Sequence, residues 1–272
     1  MNDSEMLFVK FGGSLITRKD EMFTVDYGRM RGIVRELAEV LDEISPRLII
    51  GHGGGSFPHP IAKSFNVREG IEGGSKRGFV LCRNAASTLN RIFVDMMNDY
   101  GVDAISIQTS AAVMAKNGEI QEFFIDPIKS ALSLDLIPVV YGDCVFDISR
   151  GFTVVSTERI FKFLARHIRP SRVIIFSIVN GIYTSDPLRD EHARRIPRIN
   201  ANVFSDDYLR DSYYIDATGG MREKVKELFD IAKSGVECEI LSGDEGNIKR
   251  ALSGYRGIGT IIEAKASADG DY

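Results

Sequence analysis

The chain has 272 residues, 34 Lys+Arg against 38 Asp+Glu for a formal net charge of −4, and 44% hydrophobic residues. That length supports a sizeable core in one large α/β domain or two lobes. The charge argues against a nucleic-acid partner held by a basic surface, and no apolar run approaches membrane-spanning length, so neither nucleic acid nor membrane is an expected partner.

Residues 7–11 read as a strand with Lys10 near its end, followed at once by Gly12-Gly13-Ser14. A lysine at the mouth of a buried strand either meets an anion or snorkels to water. Thr17-Arg18-Lys19-Asp20 forms a charged loop. Residues 27–41 have helical periodicity, with Met30, Ile33, Val34, Leu37 and Val40 on one face. The apolar run 47–50 is a buried strand, and Gly51-His52-Gly53-Gly54-Gly55-Ser56-Phe57-Pro58-His59-Pro60 follows it. Three consecutive glycines leave backbone N–H groups unshielded by any Cβ, and a helix starting near Pro60 adds partial positive charge. This stretch is either a phosphate cradle, with His59 able to bond the same anion, or a glycine-rich loop with no ligand.

A long helix is expected over 75–98, with Phe79, Val80, Leu81, Leu89, Ile92, Phe93, Met96 and Met97 as its apolar positions. Most of these suit core packing, and those at its N-terminal end suit the wall of an apolar pocket. Residues 104–108 and 137–141 read as strands, the second ending in Gly142-Asp143, and 146–155 as a hairpin turning at Ser149-Arg150-Gly151. A helix over 157–167, a strand over 173–177, a turn at Asn180-Gly181-Ile182-Tyr183 and a polar loop from Ser185-Asp186-Pro187 to about Arg198 come next. Asp216-Ala217-Thr218-Gly219-Gly220 introduces an amphipathic helix, 237–241 and 259–262 are the last strands, and the polar tail 265–272 is expected to be disordered. Cys82, Cys144 and Cys238 fit neither a disulfide framework nor a zinc site, so buried thiols in a reducing compartment, the cytoplasm, are expected.

The alternation of strands and helices predicts an α/β fold, a three-layer αβα sandwich around a mostly parallel sheet with a small β-hairpin element. In such a sheet the glycine turns 12–13, 53–55 and 219–220 gather at one edge, with Lys10, Lys19 and Lys224 beside them. Several anion cradles with lysines suit phosphoryl transfer, where a protein positions reactants and neutralises charge. The Walker pattern, the protein-kinase set, a Ser-His-Asp arrangement and metal-spaced histidines are absent from the sequence, so no protein-built metal site is expected.

Taken together, these pieces resemble the amino acid kinase superfamily and, within it, the isopentenyl phosphate kinase family. The resemblance is carried by residues 10–17, 51–59, 138–143, 180–184 and 216–221, evenly spaced along the chain to about Ile262. It implies ATP-dependent phosphorylation of isopentenyl phosphate, with ATP and Mg2+, in a homodimer. It also implies an N-terminal lobe, 1–150, that binds the acceptor phosphate and dimerises, and a C-terminal lobe, 151–264, that binds ATP. Lys10 and Lys224 would stabilise the phosphoryl group in flight, Lys19 the β- and γ-phosphates, and Glu158 would orient the lysines. His59 would hold the acceptor phosphate, with Gly13, Gly54, Gly55 and Ser56 around it and Phe79, Gly142 and Asp143 lining the rest of that pocket. Gly12, Ser14, Ser177, Asn180, Gly181, Tyr183, Asp186, Thr218 and Gly220 would join Lys10 and Lys224 around the nucleotide.

The chain departs from the family pattern at three places. Ser156-Thr157-Glu158 stands for the usual Ser-Gly-Asp, Ser177-Ile178-Val179-Asn180-Gly181 for Thr-Asp-Val-Asp-Gly, and Pro58 for the glycine before the histidine. Two alternatives therefore accompany the main reading. One is a sister kinase of another phosphate or phosphonate, such as a fosfomycin-type kinase, which Ser156-Thr157-Glu158-Arg159 resembles. The other is a non-catalytic nucleotide-binding protein.

Overall fold

The computed structural model describes residues 5–201 and 220–264, with the backbone alone over 220–224. In chain order the elements begin with β1 (Met6–Phe11), the single turn α1 (Gly13–Ile16), α2 (Tyr27–Ile44), β2 (Arg47–His52) and α3 (Pro58–Ser64). They continue with α4 (Gly70–Gly73), α5 (Lys76–Asp99), β3 (Ala104–Ser106), α6 (Thr109–Ala112), β4 (Val113–Lys116), β5 (Glu119–Phe123) and α7 (Asp126–Ser133). Then come β6 (Ile137–Tyr141), β7 (Asp143–Asp147), β8 (Gly151–Val155), α8 (Thr157–Ile168), β9 (Arg172–Ser177), β10 (Ile182–Tyr183), β11 (Arg195–Ile196) and β12 (Arg198–Asn200). A helix over Gly220–Lys233, β13 (Glu237–Ser242), a short helix over Asn247–Leu252 and β14 (Thr260–Glu263) complete the described chain.

The eight-stranded sheet runs β12-β14-β13-β9-β1-β2-β6-β3, and its pairs are parallel except β13 with β14. Period-2 alternation in β1 sorts its side chains between the two helical layers. Leu7, Val9 and Phe11 join the cluster under α2 and α5, whereas Phe8 joins the one under α7, α8 and the Gly220–Lys233 helix. The Phe8 ring meets Phe161 of α8 at 5.2 Å. Lys10 lies two residues beyond Phe8 and so faces the α8 side.

The buried stripe of α2 is the one its periodicity predicts, and the helix starts at Asp26, whose carboxylate accepts the Arg29 N–H at 3.0 Å. α5 starts at Ser75 in the same way and buries Phe79, Cys82, Leu89, Phe93 and Met97, but Val80 faces solvent. α3 begins with Pro58 in its first turn, two residues before the expected start.

A second sheet, β5-β4-β7-β8, contains the expected 146–155 hairpin and a hairpin the sequence reading omitted. The latter turns at Asn117 (φ 53°) and Gly118 (φ 83°), the left-handed pair of a type I′ turn. The polar loop after Ser185 connects a small antiparallel pair, β10 with β11, so the expected turn at 180–183 runs into a short strand. Because β1 pairs with β9, the 1–150 and 151–264 halves share one continuous sheet. The tail 265–272 lies outside the described residues.

Candidate active site

Strand register sets the site. Lys10 lies level with Gly51 on one side and Ile175 on the other. A Cβ on Gly51 would sit 2.5 Å from Thr157 Cγ2 and 2.9 Å from Phe161 Cζ. The missing side chain thus lets the first turn of α8 lie directly on β2. Ser156 caps that turn by accepting the Arg159 N–H at 3.2 Å. Glu158 follows in the same turn and forms an ion pair with the Lys10 ammonium, with both side chains almost fully buried.

At the ends of these strands the two glycine turns interlock. A Cβ on Gly13 would lie 2.2 Å from Gly55 N, and one on Gly53 would lie 2.6 Å from Gly13 N. Thr17 bridges them, its hydroxyl donating to Gly13 O at 2.8 Å and accepting from Ser56 N–H at 3.0 Å. Gly12 N–H is tied to Phe176 O at 2.8 Å, anchoring the first turn to β9. The Ser56 hydroxyl, buried, donates to Thr24 O at 3.2 Å, and Phe23 N–H donates to Ser56 O at 3.1 Å. The loop carrying Lys19 therefore hangs from the second turn, and Lys19 itself is exposed. His59 lies in the first turn of α3, is exposed, and has its Cδ2 3.4 Å from where a Cβ on Gly54 would sit.

Other sequence-predicted residues sit as follows. The Phe79 ring stacks on Phe152 at 5.0 Å and tilts against Phe146 at 5.3 Å, an aromatic cluster between α5 and the β7–β8 hairpin. Gly142 N–H donates to Thr157 Oγ1 at 3.0 Å. The buried Asp143 carboxylate accepts from Ser110 N at 3.2 Å and Cys144 N at 2.8 Å, and burial raises its pKa to about 6. Ser14 is half-buried in α1, and Ser177 ends β9 with its carbonyl accepting Gly243 N–H at 2.9 Å.

Asn180 donates to Ile258 O at 2.8 Å and accepts from Ser242 N at 3.1 Å. That bridge needs a donor and an acceptor on one side chain, which an amide has and a carboxylate lacks. Gly181 (φ +118°) is packed against Thr260. Tyr183 lies in β10, and Asp186 closes its own turn by accepting Leu188 N–H at 2.9 Å. Gly220 opens the Gly220–Lys233 helix, while Thr218 and the Lys224 side chain lie outside the described residues. Among the described residues, no group of three or more His, Cys, Asp or Glu is placed to hold a metal ion.

The profile of the amino acid kinase family matches residues 5–242. The chain belongs to the amino acid kinase family. It is similar to the isopentenyl phosphate kinase of Methanothermobacter thermautotrophicus, 37% identical over 270 residues that cover 96% of this chain and 100% of that one. The isopentenyl phosphate kinase of Methanocaldococcus jannaschii is 30% identical over 92% of this chain and 95% of its own length. A crystal structure of isopentenyl phosphate kinase superposes with a TM-score of 0.81 at 33% identity, covering 94% of this chain and 100% of that chain.

Within this amino acid kinase the sequence reading missed three residues that shape the site. Gly51, at the head of the glycine stretch in sequence, makes room for α8 in the fold. Thr157 ties β2 to β6, donating to His52 O at 2.7 Å and accepting the Gly142 N–H. His52 is buried at the end of β2 and faces inward, its ring parallel to Tyr141 at 5.5 Å. A histidine at the last, inward-facing position of a buried strand was a visible signal, outweighed by the more exposed His59.

Proposed function

We propose that this protein is an ATP-dependent isopentenyl phosphate kinase, transferring the γ-phosphoryl group of ATP to the phosphate of isopentenyl phosphate. The observation that carries this reading is the interlocked pair of glycine turns, with the buried Lys10–Glu158 pair at its base and His59 against Gly54. In this reading the acceptor phosphate lies on Gly13, Gly54, Gly55 and His59, and the nucleotide phosphates meet Lys10 and Lys19 beside Gly12, whose own N–H is held by Phe176 O.

An acceptor phosphate with a second pKa near ~6 is largely ionised at neutral pH, so its oxygen attacks without a general base. The task left to the protein is holding two anions together. Backbone N–H groups and ammonium groups do this, stabilising charge as the phosphoryl group passes. Glu158 sets the Lys10 ammonium, and Lys224, in the sequence of the Gly220–Lys233 helix, is assigned the second stabilising charge. The apolar neighbourhood of Phe79 and Cys82 supports an isoprenoid tail over a polar phosphonate.

Magnesium accompanies ATP in kinases, and the described carboxylates build no cage for it. The 1–150 half acts as the acceptor and dimerising lobe and the 151–264 half as the ATP lobe of a homodimer. The three buried free thiols fit a reducing cytoplasm.

A panel of acceptors with ATP tests the reading: isopentenyl phosphate, dimethylallyl phosphate, geranyl phosphate, fosfomycin, acetylglutamate and UMP. The highest kcat/KM is expected for isopentenyl phosphate. A preference for fosfomycin would move the protein to the sister kinases, and nucleotide binding without turnover of any acceptor would make it a non-catalytic binder.

A further inference from the structure

We infer that His52, oriented by Asn90, is a positioning residue for the acceptor turn: its Nδ1–H holds the Gly53 carbonyl inward and thereby aims the Gly54 N–H outward at the acceptor. The inference rests on the proposed kinase reading for its ligand, but its geometry stands alone. His52 Nδ1 lies 3.1 Å from Gly53 O, and a carbonyl oxygen can only accept, so Nδ1 carries the proton. The ring is buried, which lowers its pKa to about 4, so at neutral pH there is no second proton. Nε2 is then a bare acceptor and takes the Asn90 Nδ2–H at 3.1 Å. The remaining Asn90 oxygen accepts from the Ser106 hydroxyl. The Gly53 carbonyl fixes the tautomer, and Asn90 of α5 and Ser106 of β3 complete the chain of hydrogen bonds behind the ring.

The ring has little room to pivot. It lies parallel to Tyr141, at 9° and 5.5 Å, and edge-on to Phe93 at 5.5 Å. Gly53 N–H is tied to Phe11 O at 3.0 Å, which leaves its carbonyl as the turn's main freedom. In a planar trans peptide the Gly53 C=O and the Gly54 N–H point in opposite directions. Drawing the carbonyl into the core therefore turns the Gly54 N–H to the face where His59 lies.

Two measurements on the full chain test this. Long-range imidazole 1H–15N correlation of the wild type at neutral pH should show His52 as the Nδ1–H tautomer, the reverse of the form that dominates exposed histidines. An Nε2–H or doubly protonated ring would overturn the inference. In steady-state kinetics, His52→Gln, whose amide reaches the place of Nε2 rather than Nδ1, should raise the isopentenyl phosphate KM about tenfold and leave the ATP KM within about twofold. His52→Asn, whose amide nitrogen falls near Nδ1, should recover most of that loss. Equal acceptor KM in the wild type and both variants, or parallel rises in both substrates' KM, would also overturn it. If the wild type turns over no isopentenyl phosphate, the kinase reading fails, and the tautomer measurement decides this inference by itself.

Discussion

A buried cation lies toward each end of the central strands, and the two are built differently. Arg172 opens β9, level with Leu7 and Glu237, and Lys10 lies three rows further along β1, level with Ile175. The Arg172 guanidinium spreads over Glu239 Oε2 at 2.8 Å, Glu237 Oε1 at 3.1 Å and the carbonyls of Ala251 and Tyr255 at 3.1 and 3.4 Å. Glu239 also accepts the Gly259 N–H at 2.9 Å. That planar fork is occupied by protein acceptors and fastens the segment after β13 onto the sheet. Lys10 instead brings a compact ammonium on a flexible stem to Glu158, beside two turns without side chains. The first arrangement closes a structure, and the second sets an ion pair at the base of the glycine turns.

The comparison can be broken at either end. Arg172→Ala should strand the buried Glu239 carboxylate, while the half-buried Glu237 keeps Arg256, and lower stability by about 3–5 kcal/mol. Denaturant melts would measure this, while kcat per folded molecule should stay near wild type. Lys10→Ala should also lower stability, because it takes the Lys10 ammonium from the buried Glu158 carboxylate. Unlike Arg172→Ala, it should in addition lower kcat per folded molecule by about 10²–10³, because transition-state charge goes uncompensated. A large fall in stability with little change in kcat would assign Lys10 to the Arg172 class.

Gly51→Ala sharpens the contrast, since it touches neither charge. The added methyl should press α8 away from β2, destabilise by about 1–3 kcal/mol and lower kcat through a displaced Glu158. Thr157→Ser, which deletes the Cγ2 at 2.5 Å, should recover part of both losses.

The smallest effect concerns Asp143. Its folded pKa, about 6, lies above its ordinary value of 3.8, so between those values the folded state binds more protons than the unfolded one. Stability should therefore fall as pH rises from about 4 to 6 and flatten above. Urea melts across that window should show the slope in the wild type and its loss in Asp143→Asn.

The layers of the fold were legible because their signals are local. The α2 stripe, the apolar β2 and β9 runs and the capped starts of α2 and α5 state their structures in a few neighbouring residues. The Asn117-Gly118 hairpin carries an equally local signal, two adjacent residues suited to the left-handed region. Lys10, His59 and the glycine turns were legible as residue types in a strand-to-helix context. The roles of Gly51, His52 and Asn180 were not, because each depends on a partner far along the chain: α8, Asn90 on α5, and Ser242 with Ile258. Asn180 shows the difficulty, since from sequence it reads as a lost carboxylate and in the fold its amide serves as a two-way bridge.

The Thr17 hydroxyl, shared between Gly13 O and Ser56 N–H, welds the two glycine turns into a single block. The aromatic cluster around Phe79 on α5 shares none of those bonds and can be edited with that block left untouched. Grafting a foreign glycine loop on one strand alone would unseat its neighbour, so the two must be transplanted as a pair.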